Sequence, residues 1–176
     1  MNAMSWSVLR RWVWLRRGRL PPMSVSDPVW YFAFGSNMNE RLFRERRHMT
    51  PIETRIGRLN NHRLCFTVGG GRRPGTSAPA DIADDPGGVV HGVLYLLPLR
   101  KFVRLDASEG RQYAYLWTEA EDEAGETIPV VTFKGAPGAP DGRPSPPYMK
   151  IVREAARQRG LPEEYISFLD RVETAE

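Results

Sequence analysis

Residues 29–38 have the sequence VWYFAFGSNM, and the fold prediction depends on them more than on any other segment. The stretch begins as an apolar run and changes abruptly at Gly35, which polar Ser36 and Asn37 follow. A short apolar run that ends at a glycine is typical of a buried β-strand. The next segment, NERLFRERR at 39–47, has the spacing of a helix. The stretch therefore predicts a strand, a tight loop and a helix in succession.

Further strand signals recur along the chain between glycine- and proline-rich segments. The loops and turns are GGGRRPGTS at 69–77, DDPGG before residue 89 and the acidic EAEDEAGET, which has a glycine for the turn of a hairpin. The strands predicted between them are 56–68, 78–83, 89–97, 112–119 and 127–133.

Helices are predicted beside these strands. Pro98 opens a short helix, PLRKFVRLDASEG, with Leu99, Phe102 and Val103 on one side. Two more helices close the chain, one from about Tyr148 to Arg159 and one from Pro162. Runs of strands with helices at the ends favour an α+β fold over a doubly wound sheet.

Length and charge indicate one globular domain. The chain has 176 residues, 41% of them hydrophobic and 26% charged. Its net charge is +4, but residues 1–22 hold five arginines and no acid, so the remainder carries about −1. The body has no basic stripe with interleaved aromatics, and we expect no nucleic-acid partner. We predict a domain at 28–176 and an Arg- and Trp-rich extension at 1–27 outside the fold.

The amino-terminal extension has three interpretations. Arginines interrupt its apolar stretches, so we expect no membrane span and no secretory signal. An amphipathic membrane-surface segment or organellar presequence is one alternative. The favoured one is a non-essential extension, with Met23 as the working initiator and a cytoplasmic protein.

The loop around Gly35 is the first candidate site. Glycine permits backbone angles closed to other residues, and successive N–H groups before a helix form a nest for a carboxylate or an oxyanion. The alternative is that Gly35 only turns the chain while Ser36 or Asn37 caps the helix.

Glu109 is the second candidate, since it ends the helix that Gly110 terminates. A carboxylate at such a junction can project into a cavity while its backbone stays fixed. The alternatives are a solvated Glu109 before a capping glycine, or Asp106, one turn earlier, as the functional carboxylate.

Other chemistries lack residues at the required spacing. A single cysteine, Cys65, excludes a disulfide within the chain, and we expect it to be buried. The three histidines, His48, His62 and His91, do not have metal-ligand spacing, and no phosphate or dinucleotide motif is present. We therefore expect neither a metal nor another cofactor.

Three blocks of sequence together resemble the γ-glutamylcyclotransferase family. YFAFGSNM at 31–38 is similar to its amino-terminal substrate loop. GVVHGVLYLL followed by LDASEG at 105–110 resembles the strand and helix that end in its catalytic glutamate. RPSPPYMKIVREAARQRGLPEEYISFL at 143–169 resembles its carboxy-terminal helices. The blocks occur in the family's order over residues 29–170.

The resemblance implies a small mixed β-barrel with flanking helices and an enzyme that converts a γ-glutamyl amino acid or amine to 5-oxoproline. Glu109 would be its general acid/base. The substrate-binding residues implied are Tyr31, Phe34, Gly35, Ser36, Asn37 and Phe133.

Two departures from the family bear on the substrate. Phe133 stands where several members carry a pocket tyrosine on the penultimate strand, and the loop reads GSNM instead of the GSL-type sequence of the glutathione-specific branch. Glutathione is therefore the less favoured substrate. The alternatives are a cyclotransferase for a specialised γ-glutamyl amine, with the loop at 69–77 shaping the choice, and a non-catalytic γ-glutamyl-binding module.

Overall fold

A computed structural model describes residues 24, 26–67, 78–109, 113–135 and 141–175. The loop predicted at 69–77 and nearly all of the amino-terminal extension lie outside this part of the chain. The strands within it are β1 Pro28–Ala33, β2 Glu53–Cys65, β3 Asp81–Pro98, β4 Tyr113–Asp122 and β5 Thr127–Gly135.

The strands form a closed barrel in the order β1-β3-β2-β4-β5. β1 pairs antiparallel with β3, from Pro28 opposite Pro98 to Ala33 opposite Val93. The barrel closes where Trp30 of β1 lies parallel to Val130 of β5. The small mixed β-barrel with flanking helices is thus confirmed.

The long strand β3 corrects part of the sequence prediction. We predicted strands at 78–83 and 89–97 with a turn at DDPGG, but β3 is continuous from Asp81 to Pro98. Pairing with β2 is interrupted between Asn60/Val89 and His62/Asp84, where residues 85–88 face Asn61 alone. Asn61 and Gly87 take positive φ angles, 58° and 84°, there. The glycine thus forms a bulge within a ladder, where we predicted the end of a strand.

The helical segments follow the prediction except after β1. Instead of one helix over 39–47, the chain makes a 3-10 turn at Ser36–Met38 and a π-helical turn at Leu42–Arg46. The α-helices are α1 Leu99–Ser108, α2 Pro146–Gln158 and α3 Glu163–Arg171. The predicted stop of α2 is confirmed, since Gly160 has a φ of 67°.

An aromatic core fixes α1 against the barrel. α1 turns one face inward and buries Leu99, Phe102, Val103, Leu105 and Asp106. Phe102 is fully buried, and its ring lies 5.6 Å from that of Phe133 on β5. Full burial of one such side chain contributes about 1.5–3 kcal/mol. The backbone N–H of Leu99 also donates to the carbonyl of Asp27 at 2.9 Å, so the residue before β1 braces the start of the helix that carries Glu109.

Two further expectations concern single features. Cys65 is buried, as predicted, and burial raises the pKa of its thiol to about 11. None of the helices in the described ranges has the length and apolarity needed to cross a bilayer.

Candidate active site

A cavity of about 340 Å³ opens between the loop after β1, the end of α1 and the start of α2. All seven residues predicted for the site contribute to its wall, and so do six that were not predicted. The predicted residues are Tyr31, Phe34, Gly35, Ser36, Asn37, Glu109 and Phe133. The others are Arg47, Pro79, Ala80, Ser108, Tyr113 and Tyr148.

Gly35 is needed for space, not for a left-handed φ. Its φ is −116°, so the prediction that it uses φ values closed to other residues is wrong. A Cβ atom at this position would lie 2.8 Å from the hydroxyl oxygen of Tyr148 and 3.2 Å from Cβ of Ala80. Both contacts are closer than real Cβ atoms normally make, so glycine lets the loop approach the opposite side of the cavity.

Asn37 bridges the loop to Glu109 instead of capping a helix. Its Nδ2 donates to Glu109 Oε1 and to the hydroxyl of Tyr31, each at 3.0 Å. A carboxylate only accepts hydrogen bonds, so Glu109 determines which end of the amide faces it. The capping role belongs to Asn39, whose Oδ1 accepts from the backbone N–H of Leu42 at 2.9 Å. The capping alternative for Ser36 or Asn37 does not hold.

Glu109 follows the last turn of α1 in an extended conformation, with a φ of −80° and a ψ of 152°. Its backbone N–H still donates to the carbonyls of Leu105 and Asp106. The side chain is 15% exposed, and Oε1 lies 3.5 Å from Arg47 Nη2. Within the described ranges, Oε2 has no partner. Asp106, the competing carboxylate, is buried in α1 and does not line the cavity.

Arg47 joins the site from the segment after β1, and sequence reasoning missed it. Its Nη1 donates to Ser108 Oγ at 2.9 Å and to the Ser108 carbonyl at 3.3 Å. It ends a run that also contains Arg41, Arg44 and Arg46. Nothing in that run distinguishes the one arginine that turns toward α1.

Ala80 connects two tyrosines that the prediction also missed. The hydroxyl of Tyr113 donates to the Ala80 carbonyl at 2.8 Å, and the Ala80 N–H donates to the hydroxyl oxygen of Tyr148 at 3.0 Å. Burial raises the pKa of Tyr148 to about 12 and that of Tyr113 further still. Burial, helped by the nearby Glu109 charge, also raises the pKa of Tyr31. All three phenols therefore stay neutral at physiological pH. The one available signal was the position of Tyr148 after Pro146-Pro147, in the first turn of a predicted helix.

Phe133 lies on β5, the last strand of the described residues, not on a penultimate one. Its ring contacts Tyr31 at 5.5 Å between centroids and Phe102 at 5.6 Å. Since Tyr31, Tyr113 and Tyr148 all line the cavity, the site has phenolic hydroxyls even with phenylalanine at this position.

Comparison with known proteins identifies relatives that are similar to this chain in sequence and in fold. The model of the AIG2-like family matches residues 89–169. The gamma-glutamyl cyclotransferase aclK of Aspergillus oryzae is 29% identical over 79% of this chain, but the match spans only 59% of that relative. The gamma-glutamylcyclotransferase of Homo sapiens is 30% identical, over 81% of this chain and 78% of its own length.

A solved structure of a gamma-glutamyl cyclotransferase agrees with the barrel. It superimposes with a TM-score of 0.73 and 26% identity, over 85% of this chain and 90% of that one. The human relative and this structure both extend over most of the described barrel and helices. The chain therefore belongs to the γ-glutamylcyclotransferase family of enzymes.

Proposed function

We propose that this protein converts a γ-glutamyl amino acid or amine to 5-oxoproline and the free amino acid or amine, with Glu109 moving the proton. The observation that carries the proposal is the state of the Glu109 carboxylate. Asn37 donates to Oε1 and the Arg47 guanidinium lies 3.5 Å from it, while Oε2 is open within the described part of the cavity. The carboxylate is thus fixed in orientation and still has an oxygen for the substrate.

The reaction needs only folding of the substrate and proton transfer. The α-amine of the γ-glutamyl group attacks its own γ-carbonyl carbon, a five-membered lactam forms, and the bond to the leaving nitrogen breaks. Because nucleophile and electrophile belong to one molecule, the enzyme supplies neither. Two proton movements remain: the α-ammonium loses one proton, and the leaving nitrogen gains one.

The first proton transfer is unfavourable in water. An α-amine has a pKa of about 8 and an ordinary glutamate one of about 4.3, so transfer between them costs about 5 kcal/mol in water. A carboxylate that directly contacts the ammonium makes this transfer local, and the same proton then reaches the departing nitrogen. Glu109 Oε2 is suited to both steps, since the two nitrogens are bonded to the same tetrahedral carbon in the intermediate.

Tyr148 and the Gly35 loop are suited to the negative charge that develops on the γ-carbonyl oxygen. The hydroxyl oxygen of Tyr148 accepts from Ala80, which leaves its hydrogen for another acceptor. With its pKa raised by burial to about 12, this phenol remains a donor at neutral pH. A fixed neutral donor beside a forming oxyanion requires no rearrangement during the reaction.

A substrate screen tests the proposal. Purified protein is incubated with γ-glutamyl-alanine, with γ-glutamyl amines and with glutathione, and 5-oxoproline is measured by mass spectrometry. We expect release from at least one of the first two groups and less from glutathione, because the loop reads GSNM. Tight binding of a γ-glutamyl compound without any release of 5-oxoproline would show that the protein is a binding module.

A further inference from the structure

Arg47 carries the one positive charge among the described residues that line the cavity, and Glu109 the one negative charge. The two ends of the guanidinium are used differently. Nη1 is committed to Ser108, to which it donates at 2.9 and 3.3 Å. Nη2 is 3.5 Å from Glu109 Oε1, longer than a good charge-assisted hydrogen bond. Nη2 therefore retains donor capacity toward the cavity.

Arg47 also lies at the rim, whereas the residues behind it are deep. The Arg47 side chain is 26% exposed and Ser108 is exposed. By contrast, Tyr31 and Asn37 are 3% and 7% exposed. The half of the substrate that becomes the lactam is the same in every substrate and must reach the deep residues. The leaving group, which varies, is then directed toward the rim.

We propose that Arg47 binds the carboxylate of the leaving group and thereby selects γ-glutamyl amino acids over γ-glutamyl amines. This inference rests on the proposed function. In an amino acid, the carboxylate is separated from the nitrogen by one carbon atom. The neighbouring Glu109 and Arg47 side chains match that arrangement: the first serves the leaving nitrogen and the second the carboxylate beside it.

The charges of the site favour this role during turnover. At neutral pH the tyrosines around the cavity are uncharged, so Glu109 is the one described anion that balances Arg47 in its wall. When Glu109 holds the proton in transit, Arg47 loses that balance. A carboxylate on the leaving group supplies the balancing charge while Glu109 is protonated, until the proton passes to the leaving nitrogen, and this favours the transition state for carboxylate-bearing substrates.

Two substrates of nearly the same shape, in which a carboxylate is replaced by a neutral amide, test the inference: γ-glutamyl-alanine and γ-glutamyl-alaninamide. We would measure kcat/KM for both with the wild type, Arg47→Met, Arg47→Lys and the control Arg46→Met. Arg46 is exposed and does not line this cavity. Arg47→Met should lower the alanine-to-alaninamide ratio about tenfold, as expected for a lost charge-assisted hydrogen bond. The ratio for Arg47→Lys should lie between those of the wild type and Arg47→Met, and Arg46→Met should keep the wild-type ratio.

Equal losses on both substrates would overturn the inference, because Arg47 would then only orient Glu109 or bind the carboxylate that both substrates share. A measurement on the wild-type protein tests the inference even if the Arg47 variants fail to fold. Raising the salt from about 0.05 to about 0.5 M should lower kcat/KM for γ-glutamyl-alanine more than for the amide, since the rim contact is partly screened. An unchanged ratio contradicts the inference. Absence of 5-oxoproline from every compound of the substrate screen would instead refute the proposed function, and it would be seen before any variant is made.

Discussion

The two sides of the cavity are built on opposite principles. The acid wall, Asn37, Arg47 and Glu109, consists of side chains from separate segments that hold one another through charge and an amide. The tyrosine wall, Ala80, Tyr113 and Tyr148, is organised by a single backbone unit: the Ala80 carbonyl and N–H each bind one phenol. The acid wall can change its protonation during a reaction, whereas the tyrosine wall is fixed and neutral.

Burial keeps the tyrosine wall neutral. It raises the pKa of Tyr113 and Tyr148, and the Glu109 charge across the cavity adds to the effect. The phenols thus remain proton donors because they are buried and because the carboxylate faces them. We infer a division of labour, in which one wall transfers the proton and the other stabilises the oxygen that becomes negative.

Glu109→Gln should remove the function of the acid wall. Glutamine keeps the shape and can still accept from Asn37 through its amide oxygen, but it cannot take up the ammonium proton or return it to the leaving amine. Loss of a general acid/base costs about 10² to 10⁴ in rate, and a residue serving two proton movements belongs at the upper end. We expect the loss in kcat, measured as 5-oxoproline release under saturating substrate.

Glu119→Gln is the matched control for that variant. Glu119 is exposed on β4 and does not line the cavity, so the same change of charge there should leave kcat within twofold of the wild type. The assignment of the base is wrong if Glu109→Gln keeps more than about a tenth of the wild-type kcat.

Gly35→Val should push the walls apart. The first added carbon would lie 2.8 Å from the Tyr148 hydroxyl, so either the loop or Tyr148 must move. A displacement of about 1 Å in a site that depends on orientation can cost about 10² in kcat/KM. Ser36→Ala, which adds no atoms, should cost far less. Similar kinetics for the two variants would show that the close approach of the loop is irrelevant to turnover.

The sequence predicted the elements that local patterns determine. The apolar run before Gly35, the hairpin with Gly125 in its turn and the Gly160 stop each depend on residues a few positions apart. The barrel was implied by the family resemblance, but its strand order was not predicted, since β1 lies between β3 and β5 and no local pattern encodes that neighbourhood. The turn predicted at DDPGG was wrong because a glycine with positive φ can form a bulge within a strand as well as a turn between strands.

The candidate site divides in the same way. The residues of the GSN loop and Glu109 belong to short motifs and were predicted. Arg47, Ala80 and Tyr148 come from segments 33 or more positions apart, and they meet only because the barrel closes. Ala80 contributes its backbone alone, so no feature of its side chain could indicate the role.

Tyr148→Phe should weaken the tyrosine wall without stopping proton transfer. It removes one neutral hydrogen-bond donor and leaves the Ala80 N–H unpaired, so kcat/KM should fall about tenfold while kcat remains above that of Glu109→Gln. A loss as large as that of Glu109→Gln would contradict the division of labour between the walls.

Alkaline unfolding gives a second measurement on the same variant. A phenol has an ordinary pKa of about 10 when unfolded, and in the fold burial raises the pKa of Tyr148 to about 12. The unfolded chain therefore loses this proton first, and the stability contribution present below pH 10 is lost as the pH rises toward 12. Tyr148→Phe should make the fall in Tm over this interval shallower. An identical fall would mean that Tyr148 ionises alike in both states.

Removing residues 1–22 should have the smallest effect. Every described contact of both walls is made by residues from Tyr31 onward, and the hydrogen bond from Leu99 to the Asp27 carbonyl survives this deletion. We expect activity within twofold of the full chain and an unchanged Tm, in keeping with a domain at 28–176. Removing residues 1–27 is the sharper comparison, because it takes away the acceptor for the first N–H of α1.

The longer deletion should lower stability by about 1 kcal/mol, the usual net value of one hydrogen bond. It should also reduce kcat more than the shorter one, since α1 positions Glu109 at its other end. Circular dichroism melts and 5-oxoproline release on the two truncated proteins measure both effects. Loss of more than about half the activity on removing residues 1–22 alone, against the roughly twofold scatter of neutral surface changes, would show that the extension contributes to the folded domain. The acid wall would then depend on residues that precede the barrel.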